Sequence, residues 1–292
     1  MIRPKTYREA LLGASSLLSK HNLNPKIAEW MLLHLTQTTK HQWLEILDQS
    51  IPEEEMQLYH QWIERLIDGE PYQYILGVEE FFGREFNVNS SVLIPRPETE
   101  LLVEEVLRLA RETWNGAGKC RVVDIGTGSG AIAVTLALEN PSLEVLAVDI
   151  SPSALEVAKE NAKKHGAQVK FYESDLLQAL INQGLKVDMI VSNPPYIPYA
   201  DQPTLERNVL DFEPHLALFA EQEGLYFYRE IIKQSTEVIQ YPGLLAFEIG
   251  KGQDEAVVQL IKESYPQAEC QVKSDYNGIR RMVFGVINDK PQ

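Results

Sequence analysis

The feature that most constrains the fold is the run Val187-Asp188-Met189-Ile190-Val191-Ser192-Asn193-Pro194-Pro195-Tyr196. Its first half is almost wholly apolar, which predicts a strand buried on both faces of a parallel sheet. Pro194 and Pro195 have no N–H with which to extend a strand ladder, and each holds the preceding residue in extended geometry. The run therefore predicts a rigid corner at the carboxyl end of a central strand.

This corner has the chemistry to receive a planar amino group. Asn193 Oδ1 and the backbone carbonyl of Pro194 can each accept one N–H, while the ring of Tyr196 packs on the plane of the group. Asn193, Pro194 and Tyr196 are therefore candidate catalytic residues, and Pro195 joins them as a candidate substrate-binding residue. Single Asn-Pro turns also end ordinary strands, so a simple proline-bounded loop is the alternative, but the full tetrapeptide after a buried strand is much more specific.

A glycine turn lies upstream, between a predicted strand that ends in Asp124-Ile125 and a predicted helix that begins at Ala131. A strand, a glycine turn and a helix in this order form the nucleotide-binding corner of a doubly wound α/β sheet. The next predicted strand ends at Asp149, where an acidic residue can accept both hydroxyls of a ribose. The candidate cofactor-binding residues of this region are Asp124, Gly126, Thr127, Gly128, Ser129, Gly130 and Asp149.

The glycine spacing alone leaves two cofactors open. Gly126-x-Gly128-x-x-Ala131 fits the dinucleotide fingerprint, so NAD competes with S-adenosyl-L-methionine. Two features favour S-adenosyl-L-methionine. Asp124 would repel a pyrophosphate but would attract the ammonium group of the methionine, and the corner at Asn193 suits an amine better than a hydride transfer. A third predicted strand ends at Ser174-Asp175, from which a side chain can reach the adenine amino group.

With these motifs assembled, the chain resembles the class I methyltransferases that carry Asn-Pro-Pro-Tyr and methylate planar nitrogens. Within that group it is similar to the protein-glutamine N5-methyltransferases of peptide chain release factors. The resemblance extends nearly end to end. It includes Leu93-Ile94-Pro95-Arg96-Pro97-Glu98-Thr99-Glu100, Phe212-Glu213-Pro214 and Phe247-Glu248-Ile249-Gly250.

The resemblance implies a Rossmann-like seven-stranded sheet that ends in an antiparallel hairpin. It also implies methyl transfer from S-adenosyl-L-methionine to N5 of the glutamine in the Gly-Gly-Gln motif of release factors. Arg96 is expected in the substrate site, and Asn193 is expected to contact cofactor as well as substrate. Leu176 stands where relatives often carry an aromatic residue. Leucine has no ring to stack on adenine, so the expected contact of Leu176 with adenine is through its backbone.

At 292 residues, the chain is expected to form one main domain and a smaller one. Residues 1–71 carry apolar stripes at helical spacing, which predict a helical bundle that recognises the protein substrate. Residues 72–95 show the alternating residue pattern of β-structure, which predicts a β-hairpin linker. In residues 96–292 predicted strands alternate with predicted helices, which indicates the catalytic domain. Residues 198–214 are predicted to be a long loop of the substrate channel. The predicted stripes are Tyr7, Leu11, Ala14 and Leu18; Ile27, Trp30, Met31, His34 and Leu35; and Met56, Tyr59, Ile63 and Leu66.

The net charge of −15 argues against a duplex nucleic acid as partner, because such proteins need a basic surface. An N-methyltransferase acting on an exocyclic amino group of DNA or RNA is the alternative function. A catalytically silent module that keeps the cofactor pocket is a third hypothesis, which the intact Asn193 corner disfavours.

The sequence also indicates where the protein works. No apolar run reaches the ~18 residues of a membrane span, and the polar start Met1-Ile2-Arg3-Pro4-Lys5 does not resemble a secretory signal. Cys120 and Cys270 are predicted to be free thiols, which indicates the cytoplasm. The six histidines are scattered without metal-ligand spacing, so no metal is expected. We expect a monomer.

Overall fold

The computed structural model describes residues 5–114 and 119–289, which form two compact units. The first unit comprises the described residues through Val78 together with Glu206–Phe212. The second comprises Glu79–Leu205 and the described residues from Glu213 onward. The prediction that the start of the chain does not resemble a secretory signal rests on residues 1–5. Of these, only Lys5 lies within the described ranges.

The first unit is helical, as predicted, but it contains more helices than the three apolar stripes indicated. Its helices are α1 (Tyr7–Lys20), α2 (Lys26–Thr36), α3 (Lys40–Ile46), α4 (Glu53–Ile67) and α5 (Tyr72–Leu76), together with α10 (Arg207–Phe212) from the later segment. Seven residues are too few for α3 to show a periodic stripe, yet a capping box between Thr39 and Gln42 starts it and Trp43 is buried. The extended structure predicted from Tyr72 is wrong for α5, because the β-hairpin begins only at Val78.

The buried faces of these helices match the predicted stripes to different degrees. In α4 the predicted set Met56, Tyr59, Ile63 and Leu66 is confirmed. In α1 Ala10 is buried and Leu11 is only half-buried. In α2 the buried residues are Ala28, Met31 and Leu32, whereas Trp30 keeps 40% of its surface exposed. The buried face of α2 is therefore rotated about the helix axis relative to the predicted stripe, which followed the largest side chains.

The second unit is built on a seven-stranded sheet, which confirms the doubly wound fold. Its strands are β3 (Cys120–Ile125), β4 (Leu143–Asp149), β5 (Val169–Glu173), β6 (Val187–Ser192), β9 (Ile239–Glu248), β10 (Glu269–Ser274) and β11 (Arg280–Ile287). The strand order is β10-β11-β9-β6-β3-β4-β5; all strands are parallel except β11, which runs antiparallel to both of its neighbours β9 and β10. Shorter pairs are β1 (Val78–Phe81) with β2 (Arg84–Asn87), and β7 (Ile197–Pro198) with β8 (Phe219–Ala220).

Helices cover both faces of this sheet. Alternate residues of β6 point to opposite layers: Met189 and Val191 pack with one apolar cluster, and Ile190 packs with the other. The helices of this unit are α6 (Pro97–Trp114), α7 (Ala131–Glu139), α8 (Pro152–His165), α9 (Gln178–Asn182), α11 (Glu221–Gly224), α12 (Tyr226–Val238) and α13 (Asp254–Ser264). The first cluster contains residues of α6 and α7, and the second contains residues of α12 and α13.

The segment predicted as a long loop is instead folded into short elements. Residues 198–214 include the end of β7, a 3₁₀ helix at Tyr199–Thr204 and α10. None of these elements is longer than six residues, so hydrophobic periodicity could not reveal them.

Candidate active site

The glycine turn and the Asn193 corner meet because β3 and β6 are paired in parallel. Ile125 lies opposite Ser192 in the register, and the Ser192 hydroxyl donates a 2.8 Å hydrogen bond to the Ile125 carbonyl. From β3 the chain proceeds outward to β4 and β5, and then returns to the other side of β3 to form β6. This is the topological switch point, outside which α/β sheets bind their ligands.

A cavity of about 500 Å³ opens at this edge of the sheet. Its volume falls within the range of small-molecule sites. Further walls come from residues 90–93, from Ser151, Ser153 and Ala154, from Pro214 of the segment predicted for the substrate channel, and from three apolar residues that the sequence did not reveal: Leu216, Ala217 and Phe227. Eight predicted site residues line it: Gly126, Gly128, Asp149, Asp175, Leu176, Asn193, Pro194 and Pro195.

The glycines of the turn have two different roles. Gly126 and Gly128 have φ angles of 69° and 52°, and a Cβ added to Gly126 would meet no atom within 4 Å. Because Gly126 lines the cavity, a side chain there would take up ligand space rather than strike the protein. A Cβ on Gly130 would instead lie 3.1 Å from the Cβ of Ala158 in α8. Gly130 therefore serves the packing of the turn, and it does not line the cavity.

Asp149 organises the turn from the cavity wall. Its Oδ2 accepts the Gly128 N–H at 2.9 Å, and its Oδ1 accepts the Ser151 N–H at 2.9 Å. Burial raises the pKa of Asp149, while these N–H donors act in the opposite direction. A carboxylate has about four acceptor positions, so Asp149 can still accept ribose hydroxyls.

Asp124 lies behind the turn, is fully buried and does not itself line the cavity. The Thr127 hydroxyl donates a 2.6 Å hydrogen bond to its Oδ2. Burial raises the pKa of Asp124 to about 7, and the nearby Asp149 carboxylate adds to the increase. Asp124, Thr127 and Ser129 therefore shape the turn from inside, and the predicted contact of Asp124 with a methionine ammonium stays a prediction.

The amide of Asn193 is held in one orientation. Its Nδ2 donates to Thr99 Oγ1 at 3.2 Å, and Thr99 Oγ1 donates in turn to Glu248 Oε2 at 2.6 Å. Because the nitrogen end is bound on the Thr99 side, Oδ1 is left as the acceptor for the cavity. Thr99 and Glu248 belong to two of the quoted motifs, but sequence reasoning gave them no role.

Tyr196 does not line the cavity; it packs behind the corner. Its carbonyl accepts the Gln253 side-chain N–H at 3.0 Å, and a Cβ on Gly224 would lie 2.1 Å from that carbonyl oxygen. A Cβ on Gly250 would lie 3.1 Å from the ring carbon Cδ2. Gly224, Gly250 and Gln253 thus hold the corner, and stacking of Tyr196 on a substrate stays a prediction.

Arg96 is likewise away from the cavity wall, in an ion pair. Its Nη2 lies 2.5 Å from Oε1 of the buried Glu213, whose Oε2 accepts the Ile94 N–H at 3.4 Å. The pair ties the segment before α6 to the residue preceding Pro214, which does line the cavity. The geometry makes Arg96 a support of the wall, and its predicted substrate contact stays a prediction.

Asp175 and Leu176 form the far end of the cavity, after β5. Leu176 has a φ of 50°, an uncommon conformation for a residue with a side chain. The Ser174 hydroxyl accepts the Ala179 N–H at 2.9 Å and so caps the start of α9. The predicted adenine end is therefore a tightly specified turn whose backbone reaches the cavity.

Comparison with known proteins decides the family. The PrmC N-terminal domain matches residues 9–77, and the Methyltransferase small domain matches residues 98–210. The release factor glutamine methyltransferase of Bacillus cereus is 45% identical over 276 residues, 94% of this chain and 97% of its own. The chain belongs to the release factor glutamine methyltransferase family. The Bacillus subtilis member is 45% identical over 284 residues, 97% of this chain and 99% of its own.

A solved structure shows the same fold at lower identity. The human methyltransferase 10 domain containing protein superimposes with a TM-score of 0.51 at 18% identity, covering 71% of this chain and 90% of that one. The methyl donor of this methyltransferase family is S-adenosyl-L-methionine, and NAD is the wrong alternative. The open space opposite Gly126 and the acceptor at Asp149 fit this donor.

Within residues 5–114 and 119–289, no helix combines the length and apolar character that a membrane crossing requires. In the same ranges, His, Cys, Asp and Glu side chains nowhere gather in a group of three or more suited to a metal ion.

Asp149→Ala is expected to weaken the binding of S-adenosylhomocysteine by about 1.5–3 kcal/mol, because hydrogen bonds to a charged acceptor are lost. Titration calorimetry measures the change, with Asp149→Asn as the matched control, since it keeps an acceptor for the Gly128 N–H. Unchanged affinity in Asp149→Ala, or tight binding of NAD by the wild type, would contradict this role.

Asp124→Asn is expected to stabilise the protein more at pH 8 than at pH 5. The pKa of Asp124 rises from 3.8 to about 7 on folding, so its stabilising contribution is present below pH 3.8 and is lost as pH rises through 7. Asparagine keeps an acceptor for the Thr127 hydroxyl and has no such loss. Thermal melts at both pH values give the difference between the two proteins, and a difference that shrinks with rising pH would refute the assignment.

Proposed function

We propose that this protein transfers a methyl group from S-adenosyl-L-methionine to N5 of the glutamine in the Gly-Gly-Gln motif of peptide chain release factors. The observation that carries the proposal is the fixed acceptor corner, Asn193 Oδ1 beside Pro194, in the wall that the glycine turn also lines. Two bacterial relatives that carry the name release factor glutamine methyltransferase support the substrate.

The residues of the corner address the main chemical difficulty of the reaction. An amide nitrogen is a poor nucleophile, because its lone pair is delocalised into the carbonyl group. Asn193 Oδ1 and the Pro194 carbonyl accept the two N–H bonds of the glutamine amide. These bonds favour electron density on the nitrogen and hold it in one orientation, and such positioning can contribute several orders of magnitude in rate.

S-adenosyl-L-methionine supplies an electrophilic methyl group on a sulfonium centre. The nitrogen loses a proton once it has been methylated and has become acidic, so no general base is needed in the attacking step. Water that enters through the open side of the cavity can take this proton. Asp149 and the glycine turn bind the donor, and Asp175 with Leu176 receives its adenine end.

The proposed partner is a protein rather than a nucleic acid. The net charge of −15 suits a basic protein surface and opposes a phosphate backbone. The helical bundle of residues 1–71, whose predicted apolar stripes serve its core, is proposed to dock the release factor. The hairpin linker is proposed at residues 72–95 and the catalytic domain at residues 96–292.

We also propose that the enzyme works as a monomer in the cytoplasm. All residues that line the cavity come from one compact unit, so no second copy is needed to complete the site. Cys120 and Cys270 are free, as suits a reducing compartment.

Transfer of a labelled methyl group tests the substrate. The arms are an intact release factor, a free Gly-Gly-Gln peptide, DNA and ribosomal RNA, each at the same concentration. We expect label on the release factor, less on the peptide because it cannot engage the helical bundle, and none on the nucleic acids. Label confined to DNA or RNA would support the alternative nucleic-acid methyltransferase, and equal labelling of peptide and release factor would contradict the docking role.

A further inference from the structure

The orientation of the Asn193 amide depends on two side chains that do not line the cavity. Thr99 lies in the first turn of α6 and Glu248 ends β9, and both are buried, with exposed fractions of 5% and 3%. Thr99 Oγ1 lies 2.6 Å from Glu248 Oε2 and 3.2 Å from Asn193 Nδ2. The three residues form a hydrogen-bond chain that joins three elements behind the corner.

This chain has a direction, since a threonine hydroxyl has a single hydrogen. When that hydrogen is donated to the Glu248 carboxylate, Thr99 Oγ1 is left with lone pairs only. It can then accept from the NH2 end of Asn193, but it cannot donate to the oxygen end. A flipped Asn193 would set two oxygen acceptors against each other and would present its nitrogen to the cavity. The charge state of Glu248 therefore determines, through Thr99, which end of the Asn193 amide faces the cavity.

We propose that Thr99 and Glu248 are positioning residues that hold Asn193 Oδ1, rather than Nδ2, toward the NH2 group of the substrate. The inference rests on the proposed function and extends it to residues that touch neither substrate nor methyl donor. It requires Glu248 to be an acceptor. Protonated Glu248 would donate to Thr99, the Thr99 hydrogen would turn to Asn193, and the chain would favour the flipped amide.

The surroundings of Glu248 place this change near neutral pH. Burial raises the pKa of Glu248 to about 7; the Thr99 hydrogen bond lowers it, Glu98 in α6 raises it, and Arg281 in β11 and the Asn193 amide lower it. Two tyrosines complete the environment. Tyr196 of the corner interacts electrostatically with Glu248, with Arg281, with Glu98 and with Arg96, and the Tyr228 hydroxyl of α12 donates to the Glu248 backbone carbonyl at 2.8 Å.

Single-turnover methylation of an intact release factor, with methyl donor saturating, tests the inference between pH 5.5 and 8.5. The wild-type rate is expected to rise with pH and to level off above about pH 7. Thr99→Val removes the acceptor for Asn193 Nδ2 and is expected to lower the plateau by about 10-fold, with S-adenosylhomocysteine affinity within 2-fold. Thr99→Ser restores the hydroxyl and is expected to restore both rate and pH profile.

Glu248→Gln is expected to remove the rise of the rate with pH, whatever its absolute rate, because glutamine does not titrate. Thr135→Val is the matched control: Thr135 is fully buried in α7 and its hydroxyl has no hydrogen-bond partner in the part of the chain that the structure describes. It should keep both the wild-type rate and the wild-type profile.

Glu248→Gln also has a readout without turnover. The folded carboxyl has a pKa of about 7 against 4.5 for the free group, so its stabilising contribution is present below pH 4.5 and is lost as pH rises through 7. The melting temperature of the variant relative to the wild type is therefore expected to rise between pH 5 and pH 8.

The possible outcomes separate the two proposals. A wild type that fails to methylate the release factor overturns the proposed function, and with it this inference. A wild type that is active while Thr99→Val keeps its rate and profile overturns the inference alone. A folded Glu248→Gln that keeps the wild-type rise of rate with pH also overturns it.

Discussion

The parallel pairing of β3 with β6 is the constraint on which the rest of the site depends. Residues 125 and 192 lie opposite each other, so the turn that follows Ile125 and the corner that follows Ser192 share one edge of the sheet. Side chains alternate between faces along a strand, and a slip of one residue would reverse both faces of β6. The fully buried residues on both sides of β6 therefore fix the register, and the register brings the two motifs together.

Behind this edge lie two buried carboxyl groups in similar surroundings. Asp124 accepts the Thr127 hydroxyl and Glu248 accepts the Thr99 hydroxyl, both at 2.6 Å, and burial raises the pKa of each to about 7. Burying an ionisable group costs stability unless its hydrogen bonds are made. Both pairs support residues that line the cavity, the glycine turn in one case and Asn193 in the other. At neutral pH the two buried carboxyl groups lower the stability of the folded protein, while their hydrogen bonds fix the geometry of the site.

The parts of the site that sequence could predict are those whose signal is local. The apolar strand before Asn193, the prolines that end it and the glycine turn are each contiguous, and the fold follows from their order. Residues 40–46 and 198–214 were missed or mistaken because their elements are too short to show a period. Thr99 and Glu248 are 149 positions apart, so no spacing rule relates them. The family resemblance implies a substrate contact for Arg96, and nothing local in the sequence pairs it with Glu213, which lies 117 positions away.

The central claim is that Asn193 Oδ1 accepts the N–H of the target amide, and Asn193→Ala tests it most directly. The measurement is the single-turnover rate of methyl transfer to an intact release factor with methyl donor saturating, together with S-adenosylhomocysteine affinity. The account predicts a rate about 10²–10³-fold lower, because one preorganised hydrogen-bond partner is lost. Affinity should change little, since the proposal assigns most of the donor contacts to the glycine turn and Asp149. A near-normal rate for Asn193→Ala would contradict the account and would mean that the corner is only structural.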